Sequence, residues 1–338
     1  MKAAVWYGGK DIRIEEIEKP RAGPSEVLIR VKAVGICGSE MHAYEGLSKR
    51  RVPPLVMGHE FAGIVEELGE GQTDIGVGDR VVVSPAVHCG ACEECLSGRT
   101  NVCRARRHVG IDFPGAFAEY VTMPSHVCYR IPESAGFEEA ALAEPLSVGT
   151  HATGIAKVTD EDTVLVLGCG IIGLSCLIAA REKARTTLVS DVLDSRLNFA
   201  RLFGADATID ASTMDAVAQV QRMTSGRGVD VALEAVGLEQ TARQAVSSVK
   251  EAGRVVLVGL FEEMARLNIL QIALKEIQIT GSYGRKDKDF RNALRLLETR
   301  GPTIRRLITH TFPLDRVSEA FETISSQKQS AIKVLLLP

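Results

Sequence analysis

Four cysteines fall within fifteen residues of this chain, Cys89, Cys92, Cys95 and Cys103 in the stretch CGACEECLSGRTNVC, with the spacing C-x2-C-x2-C-x7-C. Thiolates this close on a turning loop can converge on one tetrahedral ion, each about 2.3 Å from it, without a core beneath them. Gly90 and Gly98 give the backbone its turns. Four thiolates also suit iron, and free thiols on a loop are the plain alternative. A structural zinc is the preferred reading, because a closed set of four ligands leaves no position for a substrate. Catalytic groups are then to be sought elsewhere.

A second chemistry-bearing stretch is TVLVLGCGIIGLSCLIAA, an apolar strand, a glycine-rich turn and an apolar helix. Gly168, Gly170 and Gly173 stand in G-x-G-x-x-G register. That pattern is weak alone, but strand before and helix after are the context a dinucleotide requires. The pyrophosphate is expected over Gly170, with Ile172 among the binding positions of the same turn, where free N–H groups and the helix dipole favour negative charge. The next strand, TTLVSD, ends at Asp191, 21 residues beyond Gly170. A carboxylate there accepts hydrogen bonds from a ribose and repels a 2′-phosphate, so NAD is expected rather than NADP. Arg196 could reach a phosphate and counts among the cofactor positions. DSRL also reads as a capped helix start with Arg196 in solvent, and that is preferred.

Two dispersed motifs are less specific. Cys37 lies between glycines in GICGSEMHAYEG, and His59 stands beside Glu60 in VMGHEFAGIVEELG. Taken singly, such a Cys or His is more often a core or hydrogen-bonded residue. A catalytic zinc, in contrast, needs about three ligands of mixed S, N and O type and an open position. It can lower the pKa of bound water from roughly 15.7 to about 7, and an alcohol oxygen should be acidified likewise. Ser39 then becomes a candidate proton relay, with His42 or Tyr44 continuing the path, against the alternative of a turn-forming serine.

The elements that must position these groups follow from composition and pattern. A chain of 338 residues suggests two domains, and 40 Lys plus Arg against 43 Asp plus Glu leaves no field favouring nucleic acid or an anionic membrane. The N-terminal MKAAVWYGGKDIRIEE meets charge before it builds an apolar signal core. No apolar stretch approaches the roughly 18 residues that cross a bilayer, so a cytoplasmic protein is expected. Residues 1–145 read as short strands such as EVLIRVKAVG and DRVVVSP between Gly and Pro turns, with the cysteine lobe at about 86–106. From 146 to 284 apolar strands (TVLVLG, TTLVSD, DVALEAVG, GRVVLVG, IQITGSYG) alternate with helical stretches, the signature of a parallel sheet covered on both faces. Residues 285–338 give a helix in KDFRNALRLLET, a helix start after Pro313 and Asp315, and a last strand AIKVLLLP, and are expected to rejoin the first domain.

Together these motifs resemble the zinc-dependent medium-chain dehydrogenase/reductase family, part of the alcohol dehydrogenase superfamily, along the full chain. The carrying residues are GICGS at 35–39, GHEFAG at 58–63, VGDRV at 77–81, the cysteine lobe, GAFAEY at 115–120, EPLSVGTHA at 144–152 and GCGIIG at 168–173. The resemblance implies an α/β protein: a GroES-like β-rich catalytic domain joined to a Rossmann domain with a doubly wound parallel sheet that binds NAD. It implies a catalytic zinc on Cys37 and His59, with Glu60 ligating directly or in exchange with water and Glu144 at or next to the metal. Two zinc ions per chain, one catalytic and one structural, are therefore expected. It further implies a small-molecule alcohol substrate, most like the sorbitol/polyol branch with L-threonine 3-dehydrogenase as the alternative, and dimers or tetramers formed partly through sheet edges such as IQITGSYG. A zinc-free relative with a binding or structural role would lack Cys37, His59 or Glu60, and all three are present. Where CGSD is common in the polyol branch this chain has Glu40, one methylene longer. His151 is expected near the cofactor or in helix packing, Arg285 as a solvated cation or a cleft residue, and Cys128, Cys169 and Cys176 as structural thiols.

Overall fold

Branched and apolar residues at Glu26–Gly35 form a ten-residue strand that pairs with three others: Glu60–Leu68, Tyr120–Pro124 and Lys333–Leu337, all antiparallel to it. The computed structural model describes residues 1–48, 50–71, 74–327 and 329–338. They divide into two units, Met1–Glu144 with Phe290–Pro338, and Pro145–Asp289.

In the first unit a seven-stranded sheet is extended by Arg80–Val83 and Cys128–Arg130 on one side and by Ile308–Pro313 on the other. A three-stranded sheet is built from Asp11–Glu16, Lys2–Gly8 and Leu55–Val56. Phe61, Phe117, Phe321, Met57 and Met123 are buried in the core of this unit. The helix Val317–Ser326 and the strand Lys333–Leu337 belong to the first unit, whose second segment begins at Phe290.

The second unit is one parallel sheet in the order Ala207–Asp210, Thr186–Asp191, Thr163–Leu167, Val229–Glu234, Val249–Leu257, Gln278–Gly281. The chain works outward from Thr163–Leu167 in one direction, then returns and works outward in the other. The strand order thus reverses between Thr163–Leu167 and Val229–Glu234, the crevice where such sheets take dinucleotides. Five of the six strands are those expected from apolar runs. The sixth, Ala207–Asp210, has one buried residue, Ile209, and too little apolar content to announce itself. Gln278–Gly281 pairs on one side only and is a sheet edge among the described residues.

Candidate metal centres and cofactor turn

The cysteine lobe brings its thiols together through a one-turn helix, Glu93–Leu96, and a short 3-10 turn, Thr100–Val102. Cys89 and Cys103 Sγ are 3.6 Å apart, Cys92 and Cys103 3.8 Å, Cys89 and Cys95 4.0 Å. An ion about 2.3 Å from each of four sulfurs has tetrahedral edges of about 3.8 Å, so the sulfurs already stand at zinc spacing. All four are free thiols rather than disulfides. The backbone N–H groups of Ala91 and Cys92, then the Cys103 thiol, pull the Cys89 thiol down to about 6, while burial and the neighbouring thiols push Cys95 up to about 12.

The second cluster is assembled across the first unit's main sheet. Gly35 pairs with Glu60 in the antiparallel register, so Cys37, two residues past the strand, meets His59 and Glu60 at the start of the facing one. One ligand atom each from Cys37, His59 and Glu60 lies within 4.8 Å of the others. Gly58 permits this approach. Its φ is +97°, and a Cβ there would meet the Phe117 ring at 2.6 Å.

Glu40 organises this candidate set. Its Oε2 accepts from Cys37 N (2.8 Å), and its Oε1 accepts from Gly58 N (2.9 Å) and His59 Nδ1 (2.7 Å). One buried carboxylate therefore grips both ligand-bearing segments, and with Nδ1 engaged His59 has Nε2 left for a metal. Burial opposes ionisation of Glu40, yet His59, Arg51 and the Cys37 N–H hold its carboxyl below the usual range. The longer side chain thus reaches further than the orientation of His59 alone requires.

Glu60 is gripped from the other side by Lys333, whose Nζ lies 2.6 Å from Glu60 Oε2 and 3.0 Å from Ile36 O. Both are 1% exposed. Burial and the nearby Glu144 raise the Glu60 carboxyl, against the pull of Lys333. Burial opposes the charge on Lys333, but Glu60, Cys37 and Glu144 lift its pKa above the ordinary lysine value. Glu144 is buried close by, outside the three-residue cluster. Lys333 was missed in the sequence, although a lysine inside AIKVLLL is a signal, since a charge in a buried strand needs a partner.

The other expected residues take several environments. Ser39 is half-buried, and its Oγ lies 3.2 Å from the Arg51 guanidinium. His42 is half-buried on the same short helix, Gly38–Tyr44. Tyr44 is buried and packs on Phe321 with ring centroids 4.7 Å apart, because its helix turns that face to the core. His108, not anticipated, lies edge-on to His59 with centroids 5.2 Å apart.

In the second unit Gly170 caps the helix Ile171–Ala180. A Cβ on Gly173 would stand 1.8 Å from Gly168 O, so only glycine lets helix and turn close. Asp191 accepts from Cys169 N (2.6 Å) and Leu193 N (2.9 Å), tying the turn to the second strand's end. The helix Asp194–Leu202 is not side-chain capped: Leu193 holds the cap position, its O accepting from Arg196 N (3.0 Å) and Leu197 N (3.1 Å), and Arg196 is half-buried rather than fully solvated. His151 packs between helices, its Nδ1 2.6 Å from Asp289. Arg285 is buried, contrary to a solvated cation. Burial pushes the thiols of Cys128 and Cys176 up to about 12 and that of Cys169 upward too, as inert core groups. No helix among the described residues is long and apolar enough to cross a membrane.

Residues 23–133 match the alcohol dehydrogenase GroES-like domain, and residues 170–299 match the zinc-binding dehydrogenase domain. The chain belongs to the zinc-type medium-chain dehydrogenase/reductase family. As a member of that family it is a zinc-binding, NAD(P)-dependent oxidoreductase acting on a CH–OH group. It is 36% identical to sorbitol dehydrogenase of Bacillus subtilis (strain 168) over 344 residues, covering 100% of this chain and 97% of that protein. It is 37% identical to L-idonate 5-dehydrogenase of Vitis vinifera, covering 98% and 93%. The crystal structure of 2R,3R-butanediol dehydrogenase from Bacillus subtilis superposes with a TM-score of 0.91 at 34% identity, covering 100% of this chain and 99% of that one.

Proposed function

We propose that this dehydrogenase oxidises a secondary alcohol (a polyol, sugar alcohol or related diol) to a ketone by hydride transfer with NAD as acceptor. The observation that carries this reading is the gathering of Cys37, His59 and Glu60, three mixed donors whose ligand atoms lie within 4.8 Å. Cys37 and His59 would hold the catalytic zinc, with Glu60 as the third or exchanging ligand and Glu144 beside it. Cys89, Cys92, Cys95 and Cys103 would hold the structural zinc. When bound among the first set, zinc supplies Lewis acidity, which makes a hydroxyl ionisable near neutral pH. Lys333 holds Glu60 through one oxygen, Glu40 fixes the His59 ring, and Ser39 Oγ takes the departing proton, with His42 next along the path. Gly168, Gly170, Ile172 and Gly173 receive the pyrophosphate, Asp191 the adenosine ribose, and Arg196 lies at its edge.

Similarity to sorbitol, idonate and butanediol dehydrogenases supports a polyol-type substrate. The partner proposed is a second copy of the chain, in a dimer or tetramer, in the cytoplasm. The deciding experiment is a panel of hexitols, pentitols, inositols, butanediol, sugar phosphates and L-threonine with NAD, run beside metal analysis. About two zinc ions per chain and turnover of a diol, abolished by a chelator, are expected. Exclusive turnover of L-threonine would replace the polyol reading, and unchanged activity in verified metal-free protein would refute the mechanism.

A further inference from the structure

Arg51 carries no role in the chemistry derived so far, yet its side chain is 3% exposed. Burying a guanidinium costs several kcal/mol unless its donors and charge are matched. Here they are matched by the surroundings of the candidate metal centre. Nη1 donates to Ser39 O (2.8 Å), Nη2 to Ser39 Oγ (3.2 Å), and Nε to Gly110 O (3.1 Å), while Nη2 stands 3.9 Å from Glu40 Oε1. Gly110 in turn lies against Gly58: its φ is +71°, and a Cβ on it would be 2.9 Å from Gly58 O. One planar fork therefore touches the proton-relay serine, stands beside the carboxylate that orients His59, and pins the loop packed on the His59 segment.

We propose that Arg51 is a positioning residue for this centre, holding Ser39 in its relay orientation and fixing the Glu40–His59 pair from behind. This rests on the reading of Cys37, His59 and Glu60 as metal ligands and of Ser39 as relay. The chemistry of the guanidinium gives the direction. It has donors and no lone pair, so it cannot take a proton from Ser39. Its N–H occupies one lone pair of Oγ, and the serine proton must point to another neighbour. Proton transfer through Ser39 is thereby given one exit, away from Arg51. A lysine keeps the charge but not the fork, and cannot serve Ser39 O, Ser39 Oγ and Gly110 O from three fixed nitrogens.

The test uses the full chain with Arg51→Met, Arg51→Lys and Ser39→Ala. Melting temperature reports folding. Chelator competition gives the affinity of each zinc site, and cobalt(II) substitution gives a ligand-field spectrum. The value of kcat and its solvent isotope effect are measured on (2R,3R)-butanediol and D-sorbitol with NAD. Arg51→Met is expected to weaken one zinc site about 10-fold, alter the cobalt spectrum and leave the four-thiolate site unchanged. It should lower kcat about 10-fold or more and raise the solvent isotope effect, and Arg51→Lys should restore little of this. Zinc affinity and cobalt spectrum within twofold of the parent in both variants would overturn the proposal. So would a large drop in melting temperature with loss of both zinc sites in both variants, which makes Arg51 a folding residue alone. Ser39→Ala tests the underlying reading separately: a parental kcat there removes Ser39 from proton transfer, while the zinc and cobalt results still decide Arg51. Failure of the parent to oxidise either alcohol counts against the polyol reading and leaves those two measurements intact.

Discussion

Glu40 accepts hydrogen bonds from two backbone segments and one ring, so its carboxylate bears on metal affinity more than a single contact suggests. Glu40→Gln must present an amide nitrogen, a donor, to at least one of those donors. Its expected effect is a loss of about 10–100-fold in affinity at one of the two zinc sites, read by chelator competition, with the four-thiolate site unaffected. Asp191 carries cofactor choice at the same scale. Asp191→Ala is expected to raise the KM for NAD about 10-fold and to lift the relative rate with NADP, since the repulsion of a 2′-phosphate is gone. Side-by-side kinetics with the two cofactors check it. The cysteine lobe was legible in the sequence because its four ligands lie within fifteen residues and need no long-range geometry. Cys37 and His59 were legible only through their resemblance to a family, because what joins them is a strand register. For Lys333 the buried charge had a sequence signal but its partner did not, since the carboxylate it holds stands 273 residues away. The burial of Tyr44 was hidden for a related reason: the ring it packs on, Phe321, lies far along the chain.

Among the elements, five of the six strands of the second unit were readable from their apolar runs, and the glycine turn from its place between strand and helix. Helix caps were less so: the helix begins one residue before the motif suggests, and the N–H groups of Arg196 and Leu197 go to Leu193 O rather than to a side chain. Two element-level consequences follow. In Gly173→Ala the new methyl would overlap Gly168 O, so the turn must open. NAD binding is expected to weaken at least about 10-fold, measured by titration calorimetry or nicotinamide fluorescence. Asp230 joins the starts of two adjacent strands, accepting from Thr163 N (2.8 Å) and pairing with Arg227 (2.9 Å) and Lys250 (2.7 Å). Partial burial opposes its ionisation, but those three partners hold it well below the usual carboxylate range. Its folded pKa is thus below its unfolded value, so its stabilisation is fully present above about pH 4 and is lost as pH falls through the folded value. Asp230→Asn is expected to lower stability at pH 7 by about 1–2 kcal/mol. The gap between variant and parent should narrow at pH 2–3, as urea midpoints of metal-free protein will report.

On the scale of the whole molecule, the second unit leaves Gln278–Gly281 as an open edge, and large apolar side chains stand exposed in the segment before it. Met264 is 96% exposed, Leu274 75%, Ile269 69% and Leu270 67%. Such a combination invites strand pairing with a second copy. Ile269→Asp with Leu274→Asp is expected to convert a dimer or tetramer to smaller species in analytical ultracentrifugation, and a parent that sediments as a monomer would remove the basis for that partner. The first unit carries a different consequence. Its central sheet carries Lys333–Leu337 between Glu26–Gly35 and Ile308–Pro313, and the ammonium that clasps Glu60 sits on that strand. Everything from Pro145 to Asp289 is translated in between. At about 5–20 residues per second, the ribosome needs roughly 10–40 s to travel from the end of the first segment to Lys333. The order of synthesis and the order of completion are therefore reversed: the interior unit can mature while the opening stretch waits, and the ion-holding pocket is finished last.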